Sequence, residues 1–341
     1  MLDIAITGGY VVDGTGAPRR RADVGIVDGT IVTIGTLDDQ ATTVIDATDQ
    51  IVSPGFVDVH THLDVQGFWD TTLSPSPLHG VTTVLGGNCG FTVAPLTDDS
   101  AGYLMRMLAR VEGMPLESLE VGVPWNWRTT GEFLDRLDGR LAVNAGFMVG
   151  HSALRRVVMG EAASERTATA DELTAMQRLL RDGLAAGGLG FSSSWAATHN
   201  DAEGRPVPSR HASAEELIAL ASVCREFEGT SLEFLPKAAG PFDEAAADVM
   251  IQMTVAAQRP LNWNIMSVTA STLPAWLAKL EVGTRARAAG GKVVGLVIPA
   301  TPSARLNFRT AFVLDSIPGW EGPMFLPPAE KLRYLADPVG R

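Results

Sequence analysis

The rhythm of apolar and polar positions changes near residue 53. Before it, short β-branched runs are broken by Gly and Asp turns. LDIAITGGYVVDG turns at Gly8-Gly9, ADVGIVDGTIVTIG carries a hairpin signal at Asp28-Gly29, and TTVIDATDQIVSPG reads as a further strand pair. Residues 1–52 are therefore expected to form a small β-sandwich. From Ser53 the chain alternates strand and helix patterns. The strand candidates are 55–62, 81–87, 141–151, 187–194, 230–236, 261–267 and 292–300. Helical spacing fills the gaps, most clearly over 171–187, 213–229 and 273–291. Ser213 followed by Glu216 reads as an N-terminal capping signature, and Gly229 as a stop.

Strands alternating with helices predict parallel βαβ units. Seven such strands with no dinucleotide fingerprint predict an α/β fold of the (β/α)8 TIM-like barrel type, incomplete, with about seven strands over residues 53–341. The polar stretch WAATHNDAEGRPVPSRHA (195–212) follows the fourth strand, where a barrel places its active-site loops. No internal repeat or low-complexity tract interrupts the pattern.

Composition narrows the function classes. The 341 residues are 45% hydrophobic and 19% charged, enough to bury a sizeable core. A formal charge of -12 argues against attraction to nucleic acid or to an anionic membrane surface. Two cysteines, Cys89 and Cys224, make no disulfide scaffold. The N-terminus lacks the basic and apolar regions of a signal peptide, and no stretch suits a bilayer span, so a soluble, cytoplasmic protein is expected.

The strongest chemical signal is PGFVDVHTHLD (54–64). Alternate residues of a strand face the same way, so His60 and His62 can share a divalent metal, Zn²⁺ or another, through neutral imidazole nitrogens.

A strand-rich N-terminal segment followed by PGFVDVHTH resembles the opening of the amidohydrolase superfamily. GVTTVLGGNCGFTVAPL (80–96), VGHSALRRVVMG (149–160) and GGLGFSSS (187–194) are similar to the D-aminoacylase, or N-acyl-D-amino-acid deacylase, branch. The resemblance implies hydrolysis of an amide or related C–N bond by metal-activated water, with a small N-acylated amino acid as substrate. It also implies a third metal ligand at Cys89, in GGNCG; a thiolate there would suit Zn²⁺. It places His151 near the substrate, where a neutral imidazole would polarise the scissile carbonyl, and lets Arg155 pair with a substrate carboxylate.

The sequence departs from that pattern in two places. The superfamily's metal-binding histidines at the ends of the fifth and sixth strands are replaced in SLEFLP and NWNIMS by Glu233 and Asn264. Glu233 is the candidate catalytic carboxylate or oxygen ligand; Asn264 is a better hydrogen-bond donor to substrate than a ligand. His199 and His211, in the 195–212 loop, are further substrate-contact candidates. The second departure is the general-base aspartate of the eighth strand, for which no residue is credible. Asp315, after AFVL, reads as a helix-end or loop acid. Either the chain is a fragment, or a homo-oligomer or a complementing chain is expected to supply the eighth strand. Alternatives are a cyclic-amide hydrolase of the same superfamily and a metal-poor binding subunit.

Overall fold

The computed structural model describes residues 1–237, 241–266, 268, 272–298, 308, 314 and 317–338. The chain divides into two compact units, Met1–Val57 with Gly80–Thr82, and Asp58–His79 with Thr83–Arg341.

The first unit holds β1 (Leu2–Thr7), β2 (Tyr10–Val11), β3 (Arg20–Arg21), β4 (Asp23–Val27), β5 (Thr30–Gly35), β6 (Ala41–Asp46) and β7 (Ile51–Val52). They form a four-stranded sheet, β5-β4-β1-β6, and a three-stranded sheet, β3-β2-β7. The Asp28-Gly29 signal makes the β4–β5 hairpin, with φ of 48° and 71° at the two residues, the left-handed pair that a tight two-residue turn needs. The expected pairing inside 42–55 does not occur. β6 runs parallel to β1 and β7 parallel to β2, so the intervening turn passes the chain from one sheet to the other. Local turn chemistry marks where the chain reverses; it does not say which strand receives it.

The second unit holds the ends of β8 (Phe56–Asp58) and β9 (Val81–Gly86) and continues through β10 (Asn144–Phe147), β11 (Val149–Gly150), β12 (Gly190–Ser194), β13 (Ser231–Leu235), β14 (Leu261–Met266) and β15 (Val293–Val297). The sheets are β10-β9-β8 and β11-β12-β13-β14-β15. At Met148 one continuous segment passes between them, with Met148 N–H bonded to Gly86 and Phe147 C=O accepting from Leu189. The pairings from β9 to β15 are parallel and follow sequence order, the progression of a singly wound barrel rather than an open doubly wound sheet. The helices predicted over 171–187, 213–229 and 273–291 are Ala170–Ala185, Ala214–Val223 and Leu273–Ala288.

Close approach fixes the strand spacing at Gly190, where an added Cβ would lie 1.8 Å from the Ser231 carbonyl oxygen. Two buried cores flank the strands. One packs Val149, Phe191, Phe234 and Trp263 against Leu180, Leu217 and Met250 of the helices. The other packs helix Asp98–Val111 and Trp127 onto Cys89, Phe91 and Phe147. The second core anchors the turn that carries Cys89.

Candidate metal centre

β8 ends at Asp58, so both motif histidines lie beyond the strand rather than on it. The alternation survives because Thr61 N–H still bonds to Leu85 C=O beside β9. His60 and His62 therefore turn to one side, their ring centroids 5.2 Å apart and nearly perpendicular. Cys89 reaches them from the turn after β9. Gly87 and Cys89 adopt φ of 74° and 57°, folding the chain back on itself within three residues. Ser192 of β12 pins this turn: its hydroxyl accepts from Gly90 N–H at 3.1 Å and donates to the Gly87 carbonyl. Glu233 of β13 accepts the Cys89 N–H at 2.7 Å.

The result is a set of three donors, from His60, His62 and Cys89, all within 4.8 Å of one another. Cys89 Sγ lies 3.6 Å from His60 Nε2 and receives the Asn264 amide at 3.5 Å. Burial lowers His60 to about 4 and His62 well below the ordinary imidazole range, so both rings are neutral and keep a lone pair at neutral pH. Burial, with the nearby Glu233, Glu112 and Asp64 charges, pushes the Cys89 thiol up. Glu233 is raised by burial to about 8, opposed by the Cys89 amide and Asn264. Asp64 is raised by burial to about 7. The buried atoms without a hydrogen-bond partner include His60 Nδ1, His62 Nδ1, both Asp64 oxygens, Glu233 Oε1 and Asn264 Oδ1. Buried acids with unmatched oxygens around two imidazoles and a thiol are short of positive charge. The donor set fits a borderline-soft divalent ion.

The other expected site residues separate. His199 stays beside the cluster: its Nδ1 pairs with Ser194 Oγ at 2.8 Å and its ring packs 4.7 Å from Phe91. Burial, with Arg210 and His60, lowers it to about 3. His211 ends a short 3₁₀ turn and is lowered by burial and then by Arg155 and Arg210. Asn264 faces Cys89, so its amide serves the thiol rather than a substrate. Asp315 lies outside the described residues, as does Ser267 of the sixth strand candidate.

His151 and Arg155 require correction. Both are fully buried on helix His151–Met159. Arg155 grips both Glu216 oxygens, at 2.5 and 2.7 Å, and donates to the carbonyls of Ala163 and Arg166. Its donors leave nothing for a substrate carboxylate. His151 has Ser193 Oγ at 2.8 Å on Nδ1 and Glu216 Oε1 at 2.8 Å on Nε2. Ser193–His151–Glu216 thus has the connectivity of an acyl-transfer triad. Ser193 is fully buried, and these bonds tie β12 to helices His151–Met159 and Ala214–Val223. Three acids escaped the sequence reading. Asp64 stood within the quoted motif without a role. Glu112 sits near His62, and Glu216 follows Ser213 in a capping pattern that conceals its inward carboxylate.

The amidohydrolase family model matches residues 43–320. The chain belongs to the amidohydrolase family. It is 36% identical over 226 residues to the D-aminoacylase of Alcaligenes xylosoxydans xylosoxydans, covering 66% of this chain and 42% of that protein. The crystal structure of D-aminoacylase superposes with a TM-score of 0.70 at 31% identity, over 88% of this chain and 59% of that one. N-acyl-D-glutamate deacylase from Bordetella bronchiseptica, complexed with zinc and a phosphonate inhibitor, gives 0.68 at 32% identity, with the same coverage. These likenesses make the parallel unit a TIM-barrel-like α/β domain. The chain spans about two fifths of the length of the curated relatives it matches, 42% for the D-aminoacylase.

Proposed function

We propose that this chain carries the metal-binding part of a hydrolase of amide C–N bonds, of the N-acyl-D-amino-acid deacylase type, acting on small N-acylated amino acids. One observation carries the reading: three donors from His60, His62 and Cys89 converge within 4.8 Å, ringed by buried acids with unmatched oxygens. These three residues would hold the ion, and zinc suits two imidazoles and a thiolate. Such an ion supplies Lewis acidity to an amide carbonyl.

The chain's own groups prepare the rest. Glu233 Oε2 fixes the Cys89 turn, while Oε1 has no partner and can hold or release a proton near neutral pH. Asn264 keeps Cys89 Sγ oriented. His199, with Nδ1 anchored on Ser194, is positioned to contact a substrate.

The seven-strand barrel and the N-terminal sandwich over 1–52 belong to the same proposal. Two separate sheets in the first unit support the sandwich. Among the described residues β8 and β15 each keep one unpaired edge, and Val294 and Val297 of β15 are 42% and 49% exposed. Unpaired backbone and apolar side chains there favour a second copy or a complementing chain.

The test is metal content of the purified chain. Wild type should hold zinc stoichiometrically, and the His60→Ala/His62→Ala double variant should lose it. Equal zinc in both would overturn the assignment. Turnover of N-acetyl-D-amino acids over their L forms checks the substrate class.

A further inference from the structure

Glu112 is the cap residue that ends helix Asp98–Val111, its N–H bonded to Leu108 C=O. Gly113, at φ 64°, then turns the chain away. A carboxylate at this end of a helix stands in the negative half of the helix dipole. Asp64 adds a second negative group nearby. An exposed acid would tolerate this, but the Glu112 side chain is only 18% exposed. Among the described residues no lysine or arginine pairs with it. Its polar neighbour is His62, whose Nδ1 lies 3.4 Å from Oε1. That Nδ1 is buried and completes no hydrogen bond, so Glu112 Oε1 stands at ion-pair distance from it rather than as a bonded partner. Phe91, 6.3 Å away, and His60 border the ring on other sides.

We propose that Glu112 is the positioning residue for His62: it accepts the Nδ1 proton and leaves Nε2 as the lone pair offered to a divalent cation. The inference rests on the metal-centre reading above. A carboxylate behind a ligating imidazole selects the tautomer, fixes the ring and makes the ligand more basic; its removal weakens metal binding ~10–100-fold.

The experiment titrates the metal-free full chain with cobalt(II), following visible absorption, for wild type, Glu112→Gln and Glu112→Ala. Cobalt affinity should fall ~10–100-fold in Glu112→Ala and less in Glu112→Gln, whose amide oxygen still accepts the proton. The metal-free melting temperature should hold or rise in both variants, since the acid removed is one whose charge burial and Asp64 already oppose. A structural role would lower affinity and melting temperature together, and that result overturns the proposal. So does wild-type affinity and spectrum in Glu112→Ala. A wild-type chain that takes up no cobalt overturns the metal-centre reading itself, and this inference with it.

Discussion

Two buried polar clusters differ in how completely their groups are matched. Around Glu216 every partner is accounted for: the carboxylate takes two bonds from Arg155 and one from His151, and His151 takes Ser193. Around Cys89 the reverse holds, with Asp64, Glu233, Asn264, His60 and His62 all leaving buried atoms unmatched. A saturated network has finished its chemistry on folding and can only hold elements together. An unsaturated one retains capacity for a ligand, and the stability of the fold bears its cost. Family position alone assigned His151 and Arg155 to the reacting side; hydrogen-bond accounting moves them to the other.

The largest expected effect falls on the saturated cluster. Arg155→Leu strands the Glu216 carboxylate without its bidentate partner and should cost about 3–5 kcal/mol of unfolding free energy. Urea denaturation measures this. A loss confined to substrate KM, with stability intact, would return Arg155 to the active site.

A pH series sharpens the same contrast. Glu216 is held at about 2, below its ordinary 4.5, by His151 and Arg155 despite its burial. In that window the unfolded chain binds the proton that the native chain refuses, so stability present above 4.5 is lost as pH falls toward about 2. His151, lowered by burial from 6.5, acts in the same direction, beginning as pH drops below 6.5. Thermal melts should therefore decline progressively on the acid side. Glu216→Gln should flatten the lower limb, and an unchanged slope in that variant would contradict the assignment.

The smallest expected effect concerns Cys89. Burial and the surrounding acids keep its thiol protonated without a cation, so alkylation should be slow even in the metal-free chain. Zinc should slow it further, by a few-fold, because a coordinated thiolate is not free to attack. Cys224, buried and raised to about 12, serves as the internal reference, with no metal dependence. Equal labelling of Cys89 with and without zinc would leave it a packing residue.

Much of this was legible in the chain. The seven strand positions, the Asp28-Gly29 hairpin and the His60/His62 pair follow from period-two alternation and turn chemistry, which are local. Helix Ala170–Ala185 and helix Ala214–Val223 show where local information stops. Both open with a Ser/Thr followed three residues later by Glu. At Thr169 the reciprocal box forms, Glu172 returning to the Thr169 N–H. At Ser213 only half of it forms: Ser213 caps Glu216 N–H, while the Glu216 carboxylate turns inward to Arg155, 61 residues away in sequence. The same four-residue pattern serves two ends because a buried guanidinium outcompetes a backbone amide for a carboxylate.

The sequence by itself determined the order of elements, the strand-end histidine pair and the glycines that let Cys89 fold back beside it, because each depends on backbone preferences within a few residues. Only the tertiary structure decided which polar groups meet. It joined Cys89 to Glu233 across 144 residues and Asn264 to Cys89 across 175, and it set Glu112 behind His62. Those pairings depend on the register and winding of parallel strands, and on burial, which fixes whether a titratable side chain meets water, a partner or neither.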